Sequence, residues 1–311
     1  MVSDASVPLI YGAIEGGGTK FVCAVGSSPT EILESVTIPT TDAVTTLGSC
    51  VSFFRSVEAK RGRIAAFGVS CFGPIELRPA SADFGRLMAT PKAGWSGVNV
   101  LDPLRAAFAA PIAIDTDVGA AALAELSLGA GRGLASLAYV TVGTGIGGAL
   151  APAGSPDARL IHAEMGHIPV RRDARDRQFA GVCPFHGDCL EGLASGPAIV
   201  ARWGTPFDAL PADHEGREII AGYLGQLAAS IALMLSAERV VFGGGVMTDG
   251  RLLSQVRDAA ARYLNGYLAP LKDERRLAEY VCAPVLGVRA GISGALLLAL
   301  RASKTDRGAS A

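Results

Sequence analysis

The chain has no excess of charge of either sign. Lys and Arg number 28 against 29 Asp and Glu, a formal net charge of -1 over 311 residues. No chain-wide field therefore favours nucleic acid or an acidic membrane surface, and a small-molecule partner is the natural expectation. Cysteine is sparse as well: six residues, at 23, 50, 71, 183, 189 and 282, lack the density of a disulfide scaffold and suit reduced thiols in a cytoplasm. The opening MVSDASVP has an acid but neither a basic start nor an apolar core, so it reads as a short disordered leader and not a signal peptide. The most apolar stretches, QLAASIALMLSA and ISGALLLALRAS, fall short of the roughly 20 residues that cross a bilayer, and are expected to be core helices. Two common catalytic signatures are also missing. There is no G-x-x-x-x-G-K-[ST], which excludes a P-loop, and no H-E-x-x-H, since His162 and His167 stand five apart, about 140° around a helix.

What is abundant is Ala, Leu, Val and glycine, with 39 Gly and half of all residues hydrophobic. That composition fits helices packed closely on sheets, joined by tight turns, in two domains of ordinary size. PLIYGAIE, then GGGTK, then FVCAVGSS reads as a hairpin turned on glycine, and LASLAYVTV, GTGIGG and ALAPAG repeat the pattern later. The repetition predicts two related lobes. Helices are expected around LGSCVSFFRSVEAK, VGAAALAELSLGAG, EGREIIAGYLGQLAASIALMLSA, DGRLLSQVRDAAARYLNGYL and GISGALLLALRAS, with TDRGASA frayed beyond the last. IAAFGVSCFGPIEL reads as a buried strand, and PIAIDTD as a strand leading into the Ala-rich helix that should open the second lobe.

Three apolar strands each end in a glycine turn, where backbone N–H groups can close on phosphate without a side chain in the way. Gly143-x-Gly145-x-x-Gly148 has the form of a dinucleotide fingerprint, but ALAPAG after it reads as strand and turn, whereas the fingerprint must open a helix. The third turn, Gly243-Gly244-Gly245, does lead toward a helix. A carboxylate that could take a proton from an alcohol is Asp117, between strand and helix; the same place suits a helix N-cap, and Asp115 is a rival for either role.

Near the middle of the chain, His167, Cys183, His186 and Cys189 stand where one tetrahedral zinc could gather them, with the three later residues at x2 spacing on a tight turn, the alternative being four unrelated residues with two buried thiols. His162-Ala163-Glu164 begins like a zinc deaminase signature, but Pro184 follows the first cysteine and the cysteines are six apart, so a closed structural site is expected instead. Glu164 and Glu191 flank the set, where the metal could hold two carboxylates in fixed geometry.

Taken together, EGGGTKFVCAVG, FGPIE, TPKAGW, DTDVGAAALAE, TVGTGIGG, HAEMGH, CPFHGDCLEGLASGP and VVFGGGVM resemble the ROK family of sugar kinases, most of all its fructokinases, from about residue 9 to about residue 300. The resemblance implies an α/β fold of two ribonuclease H-like lobes of the actin and hexokinase type, with sugar and ATP in the cleft. Residues 1–116 would form the small lobe, with a helix at about 290–303 returning to it, and 117–289 the large lobe, carrying the zinc segment at 162–192. The implied activity is ATP-dependent phosphorylation of D-fructose at its 6-hydroxyl, with Asp117 as general base. Mannose or another hexose as substrate, or a catalytically silent sugar sensor, are the alternatives. Sugar contacts would come from Glu164, His167, Glu191, Gly73 and Pro74. Phosphate and nucleotide contacts would come from Gly17, Gly18, Thr19, Lys20, Thr144, Gly145, Pro197, Gly244, Gly245, Val246 and Met247. His167, Cys183, His186 and Cys189 match the family's zinc ligands, with histidine in place of one cysteine; Mg²⁺ would bridge the ATP oxygens, and a cytoplasmic homodimer is implied. The pattern departs from the family at Glu15, where most members have Asp in D-x-G-G-T-K, and at Thr116-Asp117-Val118-Gly119, where glucokinase-like members read N-D-x-N. The loss of both asparagines argues against a glucose-type pyranose.

Overall fold

A computed structural model describes residues 9–152, 154 and 160–309, so the leader expected over the first eight residues lies outside the described residues. In chain order the regular elements are β1 (Ile10–Gly16), β2 (Lys20–Ser28), β3 (Glu31–Pro39), α1 (Ala43–Arg61), β4 (Ile64–Cys71), α2 (Asp102–Ala107), β5 (Ile112–Thr116), α3 (Asp117–Leu128), β6 (Leu137–Val142) and β7 (Ile146–Ala151). They continue with α4 (Leu190–Ala194), α5 (Gly196–Trp203), α6 (Glu215–Leu235), β8 (Val240–Gly243), α7 (Gly250–Leu264), α8 (Glu274–Tyr280), β9 (Val281–Cys282) and α9 (Ala290–Ala309). The chain forms two compact units, one of residues 1–124, 154–162 and 288–311, the other of 125–153 and 163–287.

The first unit is built on a five-stranded sheet in the order β3-β2-β1-β4-β5. β1 and β2 pair antiparallel as the glycine-turned hairpin, and β4 and β5 add in parallel. α1 starts where Asp42 accepts the Thr45 N–H at 2.9 Å and stops at Gly62, whose φ of 91° is open to glycine. It buries Leu47, Cys50, Phe54 and Val57 against the sheet's Ile14, Phe21, Phe67 and Val69. α9 covers Tyr11, Ala13, Ala24 and Ala66 with Ile292, Ala295, Leu296 and Ala299. That approach needs small residues, since a Cβ on Gly68 would come within 1.8 Å of the Ala295 carbonyl oxygen and one on Gly294 within 2.0 Å of that of Ala120.

The second unit repeats the plan: its sheet runs β7-β6-β8-β9, an antiparallel hairpin followed by two strands in parallel. The first unit has the same order in β2-β1-β4-β5, with β3 added at the edge. The paired glycine turns of the sequence therefore mark equivalent hairpins. α6 and α7 pack on this sheet, with Ile220, Tyr223, Leu224 and Leu227 of α6 meeting Leu252, Val256 and Ala260 of α7 in one apolar core.

Three expectations change. α6 as a whole is 21 residues, long and apolar enough to cross a membrane by length and composition. Length does not rule out a span here; its residues from Ile219 to Ala232 are mostly packed in the core, which makes it a core helix. α9 continues through Ala309, so Thr305–Ala309, expected to fray, are helical, while the last two residues lie outside the described ones. The strand predicted over IAAFGVSCFGPIEL ends at Cys71; the chain turns away through a cis Gly73–Pro74 bond, and Ile75 makes an isolated bridge to Leu87.

Candidate active site and metal centre

In the first unit the β1–β2 turn is closed by the Gly17 N–H on the Lys20 carbonyl at 2.9 Å. Gly16 has no room for a side chain, as its Cβ would lie 2.8 Å from the Phe21 ring, while nothing lies within 4 Å of a Cβ on Gly18. Thr40 braces this turn from the end of β3: its N–H donates to the Thr19 carbonyl at 3.0 Å and its hydroxyl to the Gly17 carbonyl at 2.8 Å. The TPKAGW loop holds Thr40 in turn. The Lys92 ammonium donates to the Thr40 carbonyl at 3.3 Å, the Trp95 indole N–H donates to the Thr41 carbonyl at 2.9 Å, and Trp95 stacks on Phe21. Sequence reasoning singled out TPKAGW as a motif but assigned no role to Thr40 or Lys92; nothing in the spacing said where the loop would return.

β5 carries the candidate base. Thr116, the last residue of the strand, accepts the Gly119 N–H on its hydroxyl at 2.9 Å, so the threonine caps α3 and Asp117 is its first helical residue. The Asp117 carboxylate accepts the adjacent Val118 N–H at 2.9 Å, and burial raises its pKa above the ordinary aspartate value. Asp115 accepts the Thr116 N–H at 2.7 Å and its carboxylate lies where a side chain on Gly119 would stand. Glu15 belongs to the same neighbourhood. Burial first, and the charge of Asp117 second, push its carboxyl up to about 7, with Lys20 opposing. Its carboxylate sits over the first turn of α9, where a Cβ on Gly291 would come within 2.2 Å of Oε1, so glycine at 291 makes the space for the longer acid.

Gly73 and Pro74 also lie in the first unit, beside His162. The His162 Nε2 accepts the Ile75 N–H at 3.1 Å, and its ring abuts Gly73. His162 was given no site role from the sequence, its protease and deaminase patterns having been rejected; Glu164 and His167, a few residues on, belong to the second unit.

Within the second unit three backbone segments meet. In the β6–β7 turn the Gly143 N–H donates to the Gly145 carbonyl at 2.8 Å, leaving Thr144 exposed. The Gly143 carbonyl accepts the N–H of Gly196 at 2.7 Å, at the start of α5 where Pro197 follows. The third turn closes the group: Gly244, at φ 94°, lies against Val142, and a Cβ on Gly143 would be 3.9 Å from the Gly245 nitrogen. Gly245, Val246 and Met247 then form a 3-10 turn, and α7 begins only at Gly250, behind Asp249, whose carboxylate accepts the Arg251 N–H at 3.0 Å. α7 thus follows the third turn just after Val246-Met247-Thr248, as the sequence indicated, while the helix start that bonds to the second turn is that of α5.

The four candidate metal ligands converge, their ligand atoms all within 4.8 Å of one another. Cys183 Sγ is 3.7 Å from His167 Nδ1 and 3.7 Å from His186 Nδ1, and Cys189 Sγ is 3.6 Å from His167 Nδ1. Zinc bonds of about 2.3 Å to sulfur and about 2.0 Å to nitrogen give a tetrahedral S···N edge of about 3.6 Å, so the donor set fits Zn²⁺ in type and spacing. Burial, with Cys183 adding to it, pushes the Cys189 thiol up to about 11, so thiolate there at neutral pH would need a cation such as a coordinated metal. His167 comes from a 3-10 turn, Met165–His167, whose last N–H donates to the Glu164 carbonyl at 3.0 Å. Cys183 pairs with Gly187 in an isolated bridge, and Cys189 immediately precedes α4. Glu191, on the first turn of α4, places Oε1 3.9 Å from His167 Nε2.

Residues 11–302 match the ROK family model. The chain is 44% identical over 297 residues to a fructokinase of Zymomonas mobilis, covering 94% of this chain and 97% of that one. It is 35% identical over 296 residues to a fructokinase of Pediococcus pentosaceus, covering 95% and 99%. Among solved structures, a ROK hexokinase from Thermus thermophilus superposes with a TM-score of 0.72 at 26% identity, over 96% of this chain and 99% of that one. Two repeated α/β units with glycine-turned hairpins and a His-Cys metal cluster are thus joined by a match running almost end to end. The chain belongs to the ROK family.

Proposed function

We propose that this chain is an ATP-dependent fructokinase, transferring the γ-phosphoryl group of ATP to the 6-hydroxyl of D-fructose. What carries this reading is the match of 44% identity, over nearly the full length of both chains, with the Zymomonas mobilis fructokinase. Asp117 accepts the hydroxyl proton as the sugar oxygen bonds to the γ-phosphorus and the bond from that phosphorus to the bridging oxygen breaks, releasing ADP. Support for that role is local: Thr116 caps α3, so Asp117 is not needed as the cap even though one carboxylate oxygen accepts the Val118 N–H, and its raised pKa makes it a better proton acceptor than an ordinary aspartate.

In this reading Gly17, Gly18, Thr19 and Lys20 attend the phosphates from the first hairpin, Thr144 and Gly145 from the second. Pro197 and Gly244 to Met247 line the nucleotide's edge. Glu164, His167, Glu191, Gly73 and Pro74 hold or support the sugar. Mg²⁺ enters as part of the nucleotide substrate. Zinc on His167, Cys183, His186 and Cys189 has a structural part: it closes the 162–192 segment and takes no step in the chemistry. We infer a cytoplasmic homodimer from the same family likeness.

The test is ADP release from MgATP with fructose, mannose, glucose and N-acetylmannosamine, with and without a zinc chelator. Turnover of fructose, weakened by chelation, is expected. Turnover confined to another hexose would move the specificity, and sugar binding without ADP release would make the chain a sensor.

A further inference from the structure

Glu191 stands at a junction within the second unit, and its two carboxylate oxygens face different neighbours. Oε2 accepts the N–H of Ile146, the first residue after the second glycine turn, at 2.8 Å. The same oxygen lies 2.6 Å from where Gly145 would carry a Cβ, so the turn is shaped around this carboxylate and glycine at 145 is what lets it approach. Oε1 faces the other way, 3.9 Å from His167 Nε2. The opposite nitrogen of that ring, Nδ1, is the one within 3.6 Å and 3.7 Å of the two cysteine sulfurs. The Glu191 carbonyl makes a third link: it accepts the Ser195 N–H at 3.1 Å, directly before Gly196, whose own N–H holds the Gly143 carbonyl at 2.7 Å. One residue therefore touches the metal segment through His167, the exit of the glycine turn through Ile146, and its entry through Ser195 and Gly196.

We propose that Glu191 is a positioning residue that makes zinc and nucleotide binding depend on each other. A ligating histidine is oriented by the carboxylate at its other nitrogen, and that partner is held in return. Zinc on Nδ1 fixes the His167 ring, the ring and the start of α4 at Cys189 fix the Glu191 carboxylate, and the carboxylate fixes the Ile146 amide and the Gly143–Gly145 turn. The turn is then preorganised for phosphate, so the cost of ordering it does not fall on nucleotide binding. Coupling of two binding equilibria is reciprocal: the factor by which zinc tightens nucleotide is the factor by which nucleotide tightens zinc. The inference rests on the reading of the second turn as a phosphate turn.

The experiment uses the full chain without sugar, so that any contact of Glu191 with the substrate is silent. ADP affinity is measured by calorimetry on zinc-loaded and chelator-stripped protein, for wild type and Glu191→Ala, with circular dichroism to check that each retains its helices. Zinc affinity is measured in parallel by competition with a chromogenic chelator, with and without saturating ADP. Wild type is expected to lose ADP affinity by about fivefold or more on stripping, and to hold zinc more tightly by the same factor when ADP is bound. Glu191→Ala is expected to bind ADP like stripped wild type and to show no dependence on zinc. Equal ADP affinity in loaded and stripped folded wild type would overturn the proposal, as would a zinc dependence that survives in Glu191→Ala. Should the stripped protein lose its helices, the competition on loaded protein decides, and an unchanged zinc affinity with ADP sinks the proposal. ADP that fails to bind loaded wild type at all would instead remove the phosphate-turn reading beneath it.

Discussion

The hydroxyl of Thr116 accepts the Gly119 N–H at 2.9 Å, and this bond settles what Asp117 is not used for. A strand-to-helix junction of the form Thr-Asp offers two residues able to cap, and the threonine takes the position. Asp117→Asn is therefore expected to hold or raise the unfolding midpoint at neutral pH, because it removes a buried charge, while lowering kcat for fructose phosphorylation by about 10²–10⁴. Thr116→Ala should cost about 1 kcal/mol of stability. Denaturant titration beside steady-state kinetics checks both; an Asp117→Asn variant with near-normal turnover would refute the base assignment.

Glu15 and Asp117 make the protein's pH response asymmetric. The Glu15 carboxyl is raised from 4.5 to about 7 in the folded chain, so the folded state holds its proton more tightly than the unfolded state does. The stabilising contribution is complete below about 4.5 and is lost as pH rises through about 7. Glu15→Gln should match wild type near pH 4.5 and exceed it at pH 8 by on the order of 3 kcal/mol. Thermal melts across pH 4.5–8.5 test this, and a stability gap that does not grow with pH would count against the buried pair.

Removal of zinc should act on the sugar as well as on the fold. Cys189→Ala deletes one ligand and loosens the start of α4, on which Glu191 stands. Bound zinc is expected to fall below one equivalent, and KM for fructose to rise by about tenfold or more. Metal analysis with initial-rate kinetics provides the check; full zinc occupancy with unchanged KM would exclude the site.

Arg217 offers a prediction about the second unit alone. It is 4% exposed on α6, and its guanidinium donates to Asp249 Oδ2 at 2.5 Å and to the carbonyls of Leu210 and Pro211, while Asp249 caps α7. The ion pair holds the Asp249 carboxyl below the usual range. Arg217→Ala leaves that carboxylate and two carbonyls short of partners and should destabilise by about 3–5 kcal/mol, whereas Arg217→Lys should recover part of it. Equilibrium urea unfolding reads the difference.

Much of the fold was legible because its strongest elements carry their own periodicity and punctuation. The hairpins announced themselves by apolar strands on either side of GGGTK and GTGIGG, and α6 and α7 by long apolar and amphipathic runs. β3 was not legible: as an edge strand it is largely exposed, and EILESVTIP offers no clean alternation between a core face and a solvent face. Nor was the two-residue β9, which exists only because β8 pairs with it. The candidate metal ligands could be picked out from residue type and spacing, since two thiols and an imidazole on one tight turn with a second imidazole 16 residues before them make a suitable donor set. The partners of those residues could not.

The sequence by itself determined the pieces that depend on neighbours along the chain: the two glycine hairpins, the Cys-His-Cys turn, the acid at 117 and the composition of a two-unit α/β protein. Tertiary structure decided everything that depends on what arrives from far away. It brought the start of α5 to the second glycine turn, placed Lys92 and Thr40 behind the Gly17–Lys20 turn, seated Glu15 over Gly291, and turned one oxygen of Glu191 to Ile146 and the other toward His167. The physical reason is range. Turn conformations and ligand spacing are set within a few residues, whereas burial, carboxylate pairing and hydrogen bonds across 45 positions, such as that of Glu191 with Ile146, exist only once the sheets have brought distant segments together.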